Sequence, residues 1–407
     1  MPTLNKIRTA VLRRNPAASP AAPAPVDPVL RRLRAALTVF FALDGFLFAG
    51  WVVRIPAIKH QTGASPSALG LALLGVSAGS VAVMMLTGRL CRRFGSHTVT
   101  AVSGVCLALA IALPPLTRSA LALGLVLLLF GAAYGAINVA MNSAAVDLVR
   151  ALRRPVMPGF HAAYSVGGML GAGLGGLLAG HLSATRHLLL LTAIGTAVAL
   201  AAGRVLLAHP APRPHEHPAP GTPAAPGGRR GLVAVFGLIA LCSSYGEGAL
   251  ADWGALHLQQ DLATGAGAAA VGYSLFALFM TLGRLCGTLL LERLGRTGTL
   301  IAGGAVAAAG MLLGSLAPTP WAAFAGYAIT GFGLANSFPV AIGRAGELAG
   351  PSGVATASTF GYGGMLLGPP AIGLLADRFT LPTALTTVAL LAAGGACIAW
   401  SMRKMTR

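Results

Sequence analysis

The feature that most constrains this chain is a series of apolar runs, each about 20 residues long and so long enough to cross a hydrocarbon core as a helix. They fall at 35–55, 67–88, 98–117, 120–142, 159–181, 187–207, 231–255, 268–291, 298–317, 320–343, 355–376 and 383–402. In lipid every backbone N–H and C=O must be satisfied within the protein, so runs of this length are helices. The expected fold is an all-α membrane protein of twelve transmembrane helices, arranged as two pseudo-symmetric six-helix bundles.

The two sets of six share a text. Tyr164-Ser165-Val166-Gly167-Gly168-Met169-Leu170 is echoed by Gly361-Tyr362-Gly363-Gly364-Met365-Leu366, and Gly135-Ala136-Ile137-Asn138 by Gly333-Leu334-Ala335-Asn336. Gly63-Ala64-Ser65-Pro66 has a looser counterpart beginning at Gly265. Two homologous halves in one membrane protein place a binding site at their interface near mid-bilayer, which points to transport. Expected boundaries are an N-terminal tail (1–32), a first bundle (33–207), a linker (208–230), a second bundle (231–402) and a C-terminus (403–407).

A formal charge of +19 invites a nucleic-acid reading, but the distribution opposes it. Of the 29 Lys and Arg, only Arg54, Lys59, Arg118, Arg186 and Arg378 lie on one side, and Arg284 lies within a run. The remainder fall in the tails, the linker and alternate loops. By the positive-inside rule both termini are cytoplasmic, in a bacterial-type inner membrane. Charged residues make up 10% of the chain against about 25% for a soluble domain. The expected partners are lipid and a small-molecule substrate, with no nucleic acid, and a monomer is expected.

The five cysteines are scattered through or beside apolar runs, without metal-ligand spacing. His209, His215 and His217 sit in a Pro-rich linker that cannot pack a core. The glycine-rich runs lack the Gly-Lys-Ser/Thr ending of a phosphate loop. No metal and no cofactor is expected, and no nucleophile–base cluster suggests an enzyme.

Twelve spans as two sixes around a central linker resemble the major facilitator superfamily. Its motif between the second and third spans, Gly-x-Leu-x-Asp-Arg-x-Gly-Arg, is met by Gly88, Leu90, Arg93 and Gly95, while Arg92 replaces the acid. The second half keeps an acid there, in Glu292-Arg293-Leu294-Gly295-Arg296. The resemblance implies a gating role for Arg92, Arg93, Glu292 and Arg293, with Asp147 available to supply the missing charge. Gly159-Phe160-His161 through Gly168 is similar to a segment of the fucose-permease branch, and Glu247-Gly248-Ala249-Leu250-Ala251-Asp252-Trp253 resembles the seventh span of YbjJ-like inner-membrane proteins. Sugar–proton symporters of that branch use an acid in span one, and Asp44 matches the position.

Asp44 lies mid-span, where an ionised carboxylate costs at least about 2.5–3.5 kcal/mol. Burial disfavours the charged carboxyl, which makes it a protonatable switch. Glu247, also followed by glycine, is expected as its repeat-related partner, so Asp44 and Glu247 are the candidates for proton coupling. Either acid could instead be a structural hydrogen-bonding group. Asn138, Asn142 and Asn336 offer donors and acceptors to a polar ligand or serve as interhelical bonds. Tyr245 joins them as a ligand candidate. Trp51 and Trp253 are either interfacial anchors or stacking surfaces. Arg54 and Asp252 form a candidate ion pair across the outer gate, with Arg284 as an inner-gate residue or a snorkelling one. His161 is a candidate proton relay.

The expected function is a secondary transporter of a sugar-like or other small metabolite, proton-coupled, with alternating access to a central site. Export of drugs or cell-made metabolites is the alternative, and a non-transporting membrane sensor the lesser one.

Overall fold

A computed structural model describes residues 27–64, 66–179, 181–210, 226–264 and 266–404. The N-terminal tail to residue 26 and linker residues 211–225 lie outside that set. The helices are α1 (Pro28–Val52), α2 (Ile55–Thr62), α3 (Pro66–Phe94), α4 (Ser96–Ala110), α5 (Ala120–Leu152), α6 (Met157–Ala179), α7 (Ala184–Ala208), α8 (Pro226–Gln260), α9 (Ala266–Leu285), α10 (Gly287–Ser315), α11 (Pro320–Leu334), α12 (Ser337–Arg378) and α13 (Leu381–Ser401). Eight are long and apolar enough to cross a membrane by length and composition. The others complete the pattern: α6, α9, and α11 running into α12, which is broken at Ala349 and Gly350 into two spans. The result is an all-α membrane fold with no strand among the described residues.

Helix ends are set by local chemistry. Asp27 caps α1 through the Val29 N–H, and Ser119, Ser183, Thr319 and Thr380 accept from the first turns of α5, α7, α11 and α13. Each such cap satisfies one of the orphan donors of a helix start. Ser119 and Thr319 are counterparts, as are Ser183 and Thr380. The turns repeat as well: left-handed residues occur as Gly63 and Ala263, Gly95 and Gly295, Arg153 and Gly350. The internal repeat is therefore present in the backbone. The helices also run past the apolar text: α5 continues beyond 142 to Leu152, and α10 is broken at Gly295, its first part carrying the eighth span on from Gly287 past 291. Those extensions carry the charged residues of the seam.

Helices α1 and α3–α7 pack as one bundle and α8–α13 as the other. At the end bearing the termini, one apolar core runs across both, from Val146 and Phe160 to Ala341, Ala345 and Ala355. The opposite half of the second bundle has its own separate core, around Phe276, Tyr327 and Leu385. Among the described residues, the hydrogen bonds, ion pairs and ring contacts between bundles lie at mid-depth or on the terminal side, and none joins the far ends. The seam is closed at the terminal end.

Candidate functional site

At mid-depth α1 lies backbone to backbone on α6. Gly45 faces the Tyr164 carbonyl and Gly167 faces the Ala42 carbonyl, at separations where a Cβ would overlap. That approach carries Asp44 into the bundle, where it is 0% exposed and neither carboxylate oxygen has a hydrogen-bond partner. Three tyrosines stand within its electrostatic reach: Tyr134 of α5, Tyr164 of α6 and Tyr362 of α12. The Tyr134 and Tyr164 hydroxyls are 2.8 Å apart. Tyr362 comes from the opposite bundle, its ring edge-on to Tyr134 at 6.1 Å.

A second polar group crosses the seam beside the first. The Arg284 guanidinium donates to Ser165 Oγ on α6 at 2.6 Å and to the Ala335 carbonyl at 3.4 Å, and pairs with Glu247 at 3.5 Å. The Arg284 side chain is 8% exposed and Glu247 30%. Arg284 is thus a bridge at the bundle interface and does not snorkel.

Glu247 is not the repeat counterpart of Asp44. Gly167 backs onto Ala42 in the first bundle and Gly364 onto Leu241 in the second, which aligns Ala42 with Leu241. Asp44 then corresponds to Ser243, whose hydroxyl donates to the Leu334 carbonyl, and Glu247 to Phe48. The shared acid–glycine dipeptide misleads by one helical turn, so the two acids occupy different depths.

The side-chain amides of Asn142 and Asn336 work as connectors. Asn142 donates to the Asn138 carbonyl at 2.8 Å and its Oδ1 lies 3.3 Å from His161 Nε2. His161 is wedged edge-on between Phe41 and Phe338. Asn336 donates to the Gly283 carbonyl at 2.8 Å. The side-chain oxygens of Asn138 and Asn336 are buried without a partner. Tyr245 is committed to Thr387 on α13 at 2.9 Å.

Trp51 is 2% exposed and packs on Phe130 within the first bundle, so it is neither an interfacial anchor nor a ligand surface. The exposed indoles are Trp321 and Trp400, the latter beneath the Arg403 guanidinium. Trp253 lies against Gly373, its Nε1 buried and unpartnered. Arg54 donates to His187 Nδ1 at 2.8 Å and to the Leu178 carbonyl at 3.2 Å, inside its own bundle, while Asp252 is exposed. The outer pair is unmade in this conformation, as expected when the terminal side holds the bundles together.

On the terminal side Arg92 bonds Ser352 across the seam, and Arg93 lies over the Phe94 ring. Asp147 accepts from Ser96 at 3.3 Å and sits 3.9 Å from Arg150, tying α5 to the α3–α4 turn where the motif lacks its acid. Arg150 donates to the Gly346 carbonyl at 2.8 Å, and Glu292 pairs with Arg154 at 3.5 Å. Arg293 is exposed beside them. Sequence reading missed Tyr134, Tyr164, Ser165 and Tyr362. One signal was present: Tyr134 stands four residues before Asn138 and eight before Asn142, on one stripe of α5.

The comparisons with known proteins agree with this architecture. The sequence model of the Major Facilitator Superfamily matches residues 34–361. An uncharacterized MFS-type transporter of Yersinia pestis is 35% identical over 90% of this chain and 94% of its own length. An uncharacterized transporter of Sinorhizobium fredii, y4wD, is 35% identical over 87% and 93%. The membrane protein MosC of Rhizobium meliloti is 29% identical over 85% and 84%. Among solved structures, the MFS transporter FucP in its outward conformation superposes with a TM-score of 0.75 at 17% identity, covering 90% of this chain and 97% of its own. The human organic anion transporter MFSD10 gives 0.76 at 16%, over 92% and 100%; at such identities the likeness concerns the fold. With two related bundles, a polar centre at their interface and relatives matched along nearly their whole length, the chain belongs to the major facilitator superfamily and is a membrane transporter.

Proposed function

We propose that this transporter couples movement of a small polar solute to protons, with Asp44 as the proton carrier. The observation that carries the reading is the complete burial of Asp44 without a hydrogen-bond partner. An ionised carboxylate in such a place costs several kcal/mol more than the neutral acid, so Asp44 holds a proton in this conformation. Tyr362 of the second bundle and the Tyr134–Tyr164 pair of the first surround it. Opening the terminal side withdraws Tyr362, admits water and allows release of the proton. Arg284 spans Ser165 and Glu247 as the floor of the site, and the tyrosine hydroxyls with the free Asn138 oxygen supply neutral hydrogen-bonding groups for the cargo.

The structural neighbour FucP is a fucose–proton symporter, which favours proton coupling and a hydroxylated cargo here. The basic tails and alternate loops support a monomer in a bacterial-type inner membrane, both termini and the closed seam facing the cytoplasm. The site is then accessible from outside, and Arg54 and Asp252 close that side in the alternate state.

Reconstituted protein tests the reading, with cargo first identified by thermal-shift screening. Asp44→Asn is expected to retain counterflow exchange and lose accumulation driven by a pH gradient. For one proton per cargo, wild type gains about tenfold accumulation for each pH unit. Accumulation at wild-type level in the variant would assign the proton elsewhere.

A further inference from the structure

A cavity of about 500 Å³ opens at the terminal-side seam, lined by Arg150, Arg153 and Arg154 of the first bundle and by Glu292, Arg296 and Glu347 of the second. It is separate from the mid-depth site around Asp44. Four guanidiniums face two carboxylates, a surplus of two positive charges. The acids are already engaged: Glu347 accepts from Arg296 at 2.7 Å and from Arg344 at 2.8 Å, and Glu292 pairs with Arg154 at 3.5 Å. Asp147 stands on the same helix as Arg150, 3.9 Å away, and Arg344, which pairs with Glu347, adds one further cation, so counting both leaves the surplus at two.

The Arg153 guanidinium makes no hydrogen bond or ion pair among the described residues, while its backbone N–H donates to the Arg150 carbonyl at 3.3 Å and its backbone is left-handed, at φ 52°. Arg153 is the left-handed C-cap of α5, with ψ 29°, a conformation glycine adopts without a Cβ penalty; at the corresponding turn the second bundle has Gly350, also at positive φ (58°) but with ψ −146°. The first bundle therefore holds a guanidinium where the second uses glycine, and strained side-chain-bearing positions of this kind concentrate at functional sites.

We propose that this cavity is a regulatory site for a phosphate-bearing dianion, held by Arg150, Arg153, Arg154 and Arg296. A phosphate group carries close to two negative charges at neutral pH and accepts paired N–H bonds from guanidiniums. Bridging arginines of both bundles, it locks the seam shut. Binding itself does not depend on the coupling mechanism; only the locking consequence rests on the transporter reading.

The test uses full-length protein in phosphatidylcholine nanodiscs, titrated with sodium orthophosphate or pyrophosphate at ionic strength balanced with sodium chloride. A ligand of the native state raises the thermal midpoint by mass action. Phosphate is expected to raise it in wild type and in Arg186→Gln, at the far end. Arg153→Gly, which removes the cation and suits the left-handed backbone, is expected to weaken apparent affinity about tenfold or more, as is Arg296→Gln. A second arm replaces part of the lipid with phosphatidylglycerol. A rise there that Arg153→Gly abolishes, without a response to soluble phosphate, assigns the phosphate to a lipid headgroup. Chloride matching phosphate, or Arg153→Gly responding as wild type in both arms, overturns the site. Spin labels at positions 186 and 378 report the lock: binding without a larger fraction of separated far ends overturns it.

Discussion

The closed seam rests on unequal bonds, and their ranking can be tested by substituting Arg150. Its guanidinium donates to the Gly346 carbonyl at 2.8 Å across the bundles, with the side chain 29% exposed. A hydrogen bond from a charged group contributes about 1.5–3 kcal/mol, and partial exposure places this one at the lower end. Opening the seam returns Arg150 to water, so the bond stabilises only the closed form. Arg150→Met keeps most of the apolar stem and removes the donor. About 1.4 kcal/mol corresponds to tenfold, so the closed-to-open ratio should fall about tenfold. The Arg154–Glu292 pair is longer, at 3.5 Å, with side chains 60% and 43% exposed. Exposed pairs are worth about 0–1 kcal/mol, so Glu292→Gln should shift the ratio by about threefold or less. Double electron–electron resonance between labels at 186 and 378 reads the fraction with far ends apart. A shift in Glu292→Gln equal to or larger than that in Arg150→Met would refute the ranking, and with it the view that the part-buried contact to the backbone dominates the gate.

Two predictions concern stability and are read from thermal unfolding in detergent. Trp51→Ala should cost about 3–5 kcal/mol as a large buried truncation, whereas Trp321→Ala, at 79% exposure, should stay within about 0.5 kcal/mol; equal effects would return Trp51 to the membrane interface. Gly167→Ala, whose Cβ would overlap the Ala42 carbonyl, should destabilise by about 1–3 kcal/mol, while Gly173→Ala meets no atom within 4 Å and should be neutral. A silent Gly167→Ala would mean that α1 and α6 separate without loss.

By itself the sequence determined the helices, their number and their pairing into halves. Apolar runs of membrane length must form helices because lipid offers no other partner for the backbone, and the repeated Gly-rich text marks the matching close approaches to within one residue: Gly167 backs onto Ala42, and Gly364, next to the textual match Gly363, backs onto Leu241. It also singled out Asp44, because a carboxyl is costly in any apolar span whatever surrounds it. Only the tertiary structure decided which residues share a depth. A one-turn register difference moves a side chain about 5.4 Å along a helix, enough to separate Glu247 from the counterpart of Asp44. Trp51 looked interfacial because its run ends nearby, but burial depends on which face meets Phe130. The tyrosines around Asp44 come from three helices distant in the chain, and Arg284 meets Ser165 across 119 positions. Such meetings follow from the packing of two bundles and from which side of their seam is closed, and neither is a property of any local run of residues.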